Sequence, residues 1–156
     1  MTNQPSVEAS SLRRFMEQYF EAWRGGNPEK VLGYFSEDVV INLWGGAGTL
    51  AGKKMAAEQW VIPTVVNYPG NSHHIKNFLE AGDQVAIEWL FTGAHVTSGK
   101  EISIPGCSIY WVSGGLIRRG QVYFNSPQPK RDRVLSALDP LHASNRLGQA
   151  EPAGAI

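Results

Sequence analysis

A chain of 156 residues and 17.1 kDa is long enough for one domain with a substantial core and too short for two ordinary ones. Its 14 basic and 14 acidic residues cancel, so no general electrostatic pull toward nucleic acid or an anionic membrane surface is expected. Charged residues make up only 18%, against five Trp, five Tyr and six Phe, which suits either an aromatic core or a pocket for an apolar ligand. The single cysteine, Cys107, excludes an internal disulfide and any multi-cysteine zinc site, and reads as a small buried hydrophobe. The opening MTNQPSVEASS lacks a basic start followed by an apolar run, and no stretch is long and apolar enough to span a bilayer. A cytoplasmic protein is the expectation.

Residues 1–9 read as a flexible arm. Leu12, Phe15, Met16, Tyr19 and Trp23 then recur at helical spacing over residues 11–24, and Gly25-Gly26 stop the helix. Asn27-Pro28 caps and opens a short second helix through Val31, Leu32, Tyr34 and Phe35, which Ser36-Glu37-Asp38 is expected to end. Residues 39–44 alternate as a strand. GGAG at 45–48 reads as a flexible turn, since no Lys-Ser/Thr follows it in phosphate-loop spacing. A third helix is expected over 52–62, carried by Met55, Ala56, Trp60 and Ile62 and bent or ended by Pro63.

From residue 72 the pattern turns to strands: SHHIKNFLE, QVAIEWLFTGAHV, KEISIPGCSIYWV and LIRRGQVYFN, punctuated by Gly82-Asp83, Ser98-Gly99 and Gly114-Gly115. This is an antiparallel meander. KRDRVLSAL at 130–138 reads as a short last helix, and the small, polar residues 139–156 as a disordered tail. The predicted class is α+β. Three N-terminal helices cover one face of a cone-shaped, curved antiparallel sheet, in a single domain over 10–138 with an apolar cavity.

The order of elements, together with YFEAWRGGNPEKVLGYFSEDVVI, EAGDQVAIEWLFTGAH and GKEISIPGCSIYWVSGGLI, resembles the nuclear transport factor 2-like superfamily and, within it, the SnoaL-like polyketide cyclases. That resemblance implies a cofactor-independent isomerase or cyclase and pairing of two copies through the outer sheet face (Glu88, Ile109); no His pair has ligand spacing with a carboxylate, so no metal site is expected. The same resemblance implies positions for catalytic groups, and most are unfilled. Steroid isomerases of this fold place a tyrosine where Tyr19 stands but a carboxylate base where this chain has Asn42, Leu43 and Trp44. The Asp-Arg-Asp of limonene epoxide hydrolases falls on Phe91, Trp89 and Val122, and the acid of the cyclases falls near Asn125, which cannot trade a proton as a carboxylate does.

Histidine is the natural substitute, since its ordinary pKa near 6.5 suits proton exchange at neutral pH. With a two-residue turn at Gly82-Asp83, His74 opposes Phe91 and shares the face of Ile87 and Trp89; one bulge would put His73 there instead. His95 and His142 read as exposed. Tyr19 and His74 are therefore the expected catalytic pair. Trp23, Trp44, Trp89, Phe91, Ser108, Tyr110, Val122 and Phe124 are expected to line a site for a small apolar, carbonyl-bearing molecule. Parity along the last hairpin favours Tyr123 over Val122 on that face, and a bulge would reverse it. A non-catalytic binding protein and an epoxide hydrolase with a relocated acid are the alternative readings.

Overall fold

The structure, a computed structural model, describes residues 10–125. The N-terminal arm, the helix expected over 130–138 and the tail lie outside the described residues. Helix α1, Ser11–Arg24, starts where the Ser10 hydroxyl accepts from the Arg13 backbone N–H at 3.1 Å. Met16, Tyr19, Phe20 and Trp23 form its buried stripe. The Asn27 side chain accepts from the Glu29 N–H at 3.0 Å to open α2, Pro28–Leu32.

That helix stops earlier than the sequence suggests. Strand β1 runs Phe35–Trp44, so Ser36, Glu37 and Asp38 begin a strand rather than end a helix, and Phe35 already pairs with Ile117. The GGAG segment is a turn, as expected, but Gly48 also opens a strand that the sequence reading left out. With φ of 105° at Gly45 and 81° at Gly48 the chain doubles back into β2, Gly48–Ala51, antiparallel to β1. The third helix starts as α3, Lys53–Ala56, widens into a π turn over Ala57–Val61, and continues as α4, Ile62–Asn67. Pro63 neither bends it to a stop nor ends it. Proline lacks an N–H and its ring crowds the preceding turn, and the wider turn ahead of it relieves both demands.

The meander forms as expected: β3 Ser72–Ala81, β4 Gln84–Ala94, β5 Glu101–Ser113 and β6 Leu116–Phe124. The sheet order is β2-β1-β6-β5-β4-β3, antiparallel throughout except that β1 lies parallel to β6. Three irregularities disturb its registers, one of them between Phe35 and Val40 where β1 meets β6, and the other two are single-residue bulges. Lys76 is skipped between the pairs Ile75↔Trp89 and Asn77↔Glu88, and Arg118 between Val112↔Ile117 and Trp111↔Arg119. Each extra residue exchanges the faces of everything beyond it and increases the local twist.

The inner face buries Val39, Ile41 and Leu43 of β1, Val85, Ile87, Trp89 and Phe91 of β4, and Ser108, Tyr110 and Val112 of β5 against the stripe of α1. Two glycines make room for its largest rings. A Cβ on Gly106 would stand 2.3 Å from the Trp89 ring, and one on Gly120 would stand 2.7 Å from Ile41 and 2.9 Å from Tyr110. Gly106 pairs with Trp89 and Gly120 with Tyr110 across neighbouring strands. Each ring thus occupies the space that a side chain at the paired position would need.

Candidate functional site

The chemistry of the inner face is defined by what it holds among its rings. Among the described residues the buried polar or charged side chains are Ser36, Asn71 and Ser108; no carboxylate joins them. Glu88 points to the exposed outer face. No group of three or more His, Cys, Asp or Glu among the described residues is placed to hold a metal ion.

The Lys76 bulge decides which histidine enters. His73 opposes Phe91, whereas His74 opposes Leu90 on the outer face, where its Nε2 lies 3.3 Å from the Thr92 hydroxyl. The placement of His74 beside Ile87 and Trp89 is thereby corrected. The imidazole of His73 stacks on Phe20 at 4.7 Å and 6° between planes, and meets Phe91 at 4.9 Å, Trp89 at 5.6 Å and Trp23 at 5.8 Å. Its Nδ1 is buried with no partner among the described residues. Burial, and secondarily the neighbouring His74, drive its pKa down to about 3. At neutral pH this imidazole is uncharged. A crevice of about 270 Å³ between α1 and β3, edged by Glu17, Glu21, Arg24 and His74, reaches its other side.

Beside it stand two phenols. Tyr19 and Tyr110, 0% and 1% exposed, bring their hydroxyls to 3.5 Å. Both pKa values are raised, chiefly by burial, and that of Tyr19 further by the charge Tyr110 would carry. Trp89 Nε1–H donates to Ser108 Oγ at 2.9 Å. Trp23, 1% exposed, packs on Tyr19 at 6.1 Å and on Trp60 at 5.0 Å, and its Nε1 has no partner among the described residues. Asn71 fixes the end of α1 by donating to the Trp23 carbonyl at 3.1 Å and to that of Tyr68 at 2.9 Å.

Of the residues singled out in the sequence, Tyr19, Trp23, Trp89, Phe91, Ser108, Tyr110 and Val122 thus come together on the inner face. The Arg118 bulge puts Val122, not Tyr123, inside. Phe124 is half-buried at the strand end near Gly46. Trp44 does not join them. At 53% exposure it lies outside, stacked with Tyr123 at 6.3 Å and donating from Nε1 to Gln121 at 2.7 Å. With Leu79 and Cys107 these two rings line a groove of about 810 Å³ on the outer face. Cys107 is exposed rather than buried, and burial and Glu88 raise its thiol pKa, so it is not an activated nucleophile. Sequence reasoning missed Phe20, which it did not single out on the first helix, and Trp60, which it carried only as part of the third helix, and left His73 as the bulge-dependent alternative.

The profile of a family described as the SnoaL-like domain matches residues 16–120. A search among curated proteins finds no match. Among solved structures, a hypothetical protein of ketosteroid isomerase-like fold from Catenulispora acidiphila, in complex with trimethylamine, superposes with a TM-score of 0.64 at 21% identity, covering 72% of this chain and 85% of that one. IdmH, a candidate polyketide cyclase from Streptomyces antibioticus, gives 0.62 at 19% identity, with 74% and 92% covered. A candidate SnoaL-like polyketide cyclase from Shewanella putrefaciens gives 0.62 at 12% identity, with 76% and 92% covered. At these identities the likeness establishes the cone fold.

Proposed function

The chain belongs to the SnoaL-like domain family, and we propose that it binds a small apolar, carbonyl-bearing compound among the rings of its inner face and moves a proton on it, as an isomerase or cyclase does. The observation that carries this reading is a ring cluster free of carboxylates whose polar groups are two phenols, the Ser108 hydroxyl, an imidazole and two indoles, with Trp23 Nε1 and His73 Nδ1 buried and unpaired among the described residues. Buried polar atoms are nearly always partnered, so such a pair calls for a partner. The Tyr19–Tyr110 pair polarises the carbonyl oxygen and His73, in the role expected of His74, carries the proton. The kinship with two candidate polyketide cyclases and with a relative that holds a small organic molecule supports the same direction. No helix among the described residues is long and apolar enough to cross a membrane, and we place the protein in the cytoplasm, paired with a second copy across the outer groove.

The test is hydrogen–deuterium exchange at carbon. Small β-dicarbonyl compounds are incubated in deuterated water with the protein, and loss of the C–H signal is followed by NMR. Exchange accelerated by the wild type, retained by His74→Ala and lost in His73→Ala and Tyr19→Phe is expected. Saturable binding without accelerated exchange favours the second reading, a non-catalytic binding protein. That reading draws on the low pKa of His73 and on the lack of an orienting partner for its Nδ1.

A further inference from the structure

Three consecutive outward-facing rungs cross the sheet from β1 to β3, passing through Trp111, Ile109 and Cys107 of β5. On these rungs Arg119 is the one cation and Glu88 the one anion. Both are exposed, and neither has an ion-pair partner among the described residues. The Arg119 guanidinium lies over the Trp111 ring, 4.8 Å from its centroid, which holds the charge against this face. Glu88 lines the outer groove beside Cys107. The two are placed symmetrically about Ile109. Arg119 pairs with Trp111, so it stands one strand and one rung to one side, and Glu88 pairs with Cys107, one strand and one rung to the other. With strands about 4.8 Å apart and a rise of about 3.3 Å per residue, each lies about 8 Å from Ile109 in the plane of the sheet.

Two copies of one surface pair about a two-fold axis, and for sheets packed face to face that axis lies in the plane between them. Residues on the axis meet their own copies, and residues at equal distances on either side exchange partners. We propose that Ile109 sits on such an axis and that Arg119 and Glu88 of one protomer meet Glu88 and Arg119 of its partner, an ion pair made twice. This rests on the reading that a second copy pairs across the outer groove, and it fixes how that copy is turned. A half-turn about the line through Ile109 that crosses the Arg119–Glu88 diagonal at a right angle lays each charge over its opposite. The partner's strands then cross at roughly 70°, near the orthogonal packing open to stacked sheets. The same half-turn brings Leu79, 64% exposed, toward Trp111 of the partner. Facing sheets stand about 10 Å apart, a gap that an arginine and a glutamate span together. An exposed pair of this kind adds little raw affinity. Its effect is on orientation, since other ways of stacking the two faces leave the charges unpaired or set like against like.

Sedimentation velocity on the 156-residue chain reads the outcome. The wild type is expected to dimerise. Glu88→Arg and Arg119→Glu, each shown folded by circular dichroism, are expected to weaken self-association by about 100-fold or more, because like charges then meet at both ends of the interface. The decisive sample is an equimolar mixture of the two variants. One brings two cations and the other two anions, so a mixed pair restores an attraction at each end, and its affinity is expected to return to within roughly threefold of the wild-type value. Variants that self-associate like the wild type overturn the ion pair while leaving the pairing itself in place. A mixture that stays monomeric also overturns it, since the losses then come from something other than the charges. A wild type that is monomeric at every concentration removes the reading on which the proposal stands, and the proposal with it.

Discussion

Acidification should loosen this fold at one identifiable place, His73. Its imidazole lies between Phe20, Trp23, Trp89 and Phe91 with Nδ1 enclosed, and its pKa falls from 6.5 in the unfolded chain to about 3 in the fold. Above pH 6.5 neither state holds the extra proton and stability is complete. Between 6.5 and about 3 the unfolded chain takes up a proton that the folded one refuses, and each pH unit costs about 1.4 kcal/mol. From pH 7.5 to 4.5 the loss reaches about 2.7 kcal/mol at most; because the residue as a whole is only half-buried and can recover some hydration, about 1.5–2.5 kcal/mol is expected. The ionisable groups around the crevice beside His73, namely Glu17, Glu21, Arg24 and His74, are common to wild type and variant. The assay is urea unfolding at pH 7.5, 5.5 and 4.5 of the wild type and His73→Phe, which keeps an aromatic ring against Phe20 and cannot be charged. The difference in stability between the two proteins should move in favour of the variant as pH falls. Parallel loss in both proteins would refute the buried neutral imidazole.

Gly106→Ala drives a methyl carbon into the Trp89 ring and Gly120→Ala drives one against Ile41 and Tyr110, so each is expected to cost about 2–4 kcal/mol in urea unfolding, as overpacked cores do. Ser108→Ala leaves the Trp89 N–H without its acceptor, for a loss of about 1–3 kcal/mol and a shifted indole Hε1 resonance in NMR spectra. His74→Ala, on an exposed outer position, is expected to change stability by no more than about 0.5 kcal/mol in the same assay.

The meander was legible because it is written in local chemistry: glycine-bearing turns and period-2 apolar residues predict β3 to β6 without reference to anything distant. The inner residues Trp89, Tyr110 and Ser108 followed from that alternation alone. What escaped was everything decided by a partner far along the chain. Phe35 and Ser36 become strand because Ile117 and its neighbours, some eighty residues later, offer β1 a parallel edge. Lys76 and Arg118 bear no mark of a bulge, yet their extra positions in the ladder decide that His73 rather than His74, and Val122 rather than Tyr123, face inward. Trp44 alternates correctly with Leu43 but belongs to the opposite face. The fold class was in the pattern, and the identity of the one inner histidine was in the register.

That register bears on the chemistry the site can perform. A general base is most effective when its pKa approaches the working pH, and an imidazole near 3 is far from it. Each pKa unit by which such a base falls below the carbon acid adds about 1.4 kcal/mol to the uphill proton transfer. An unactivated ketone would stay out of reach, while a carbon flanked by two carbonyls, as in a poly-β-ketone chain, is acidic enough to leave a surmountable step. The same burial that weakens the base makes any negative charge beside it count more, since charges attract most strongly where water is excluded. As an enolate oxygen forms against the phenols, the imidazolium gains a counter-charge and its pKa climbs toward the value the step requires. On this argument His73 is a poor base in the resting protein and a competent one only with its substrate in place. Its affinity for protons should therefore rise on binding an oxyanion such as a naphtholate, and a His73 imidazole resonance that titrates unchanged in the presence of that bound anion would contradict the coupling.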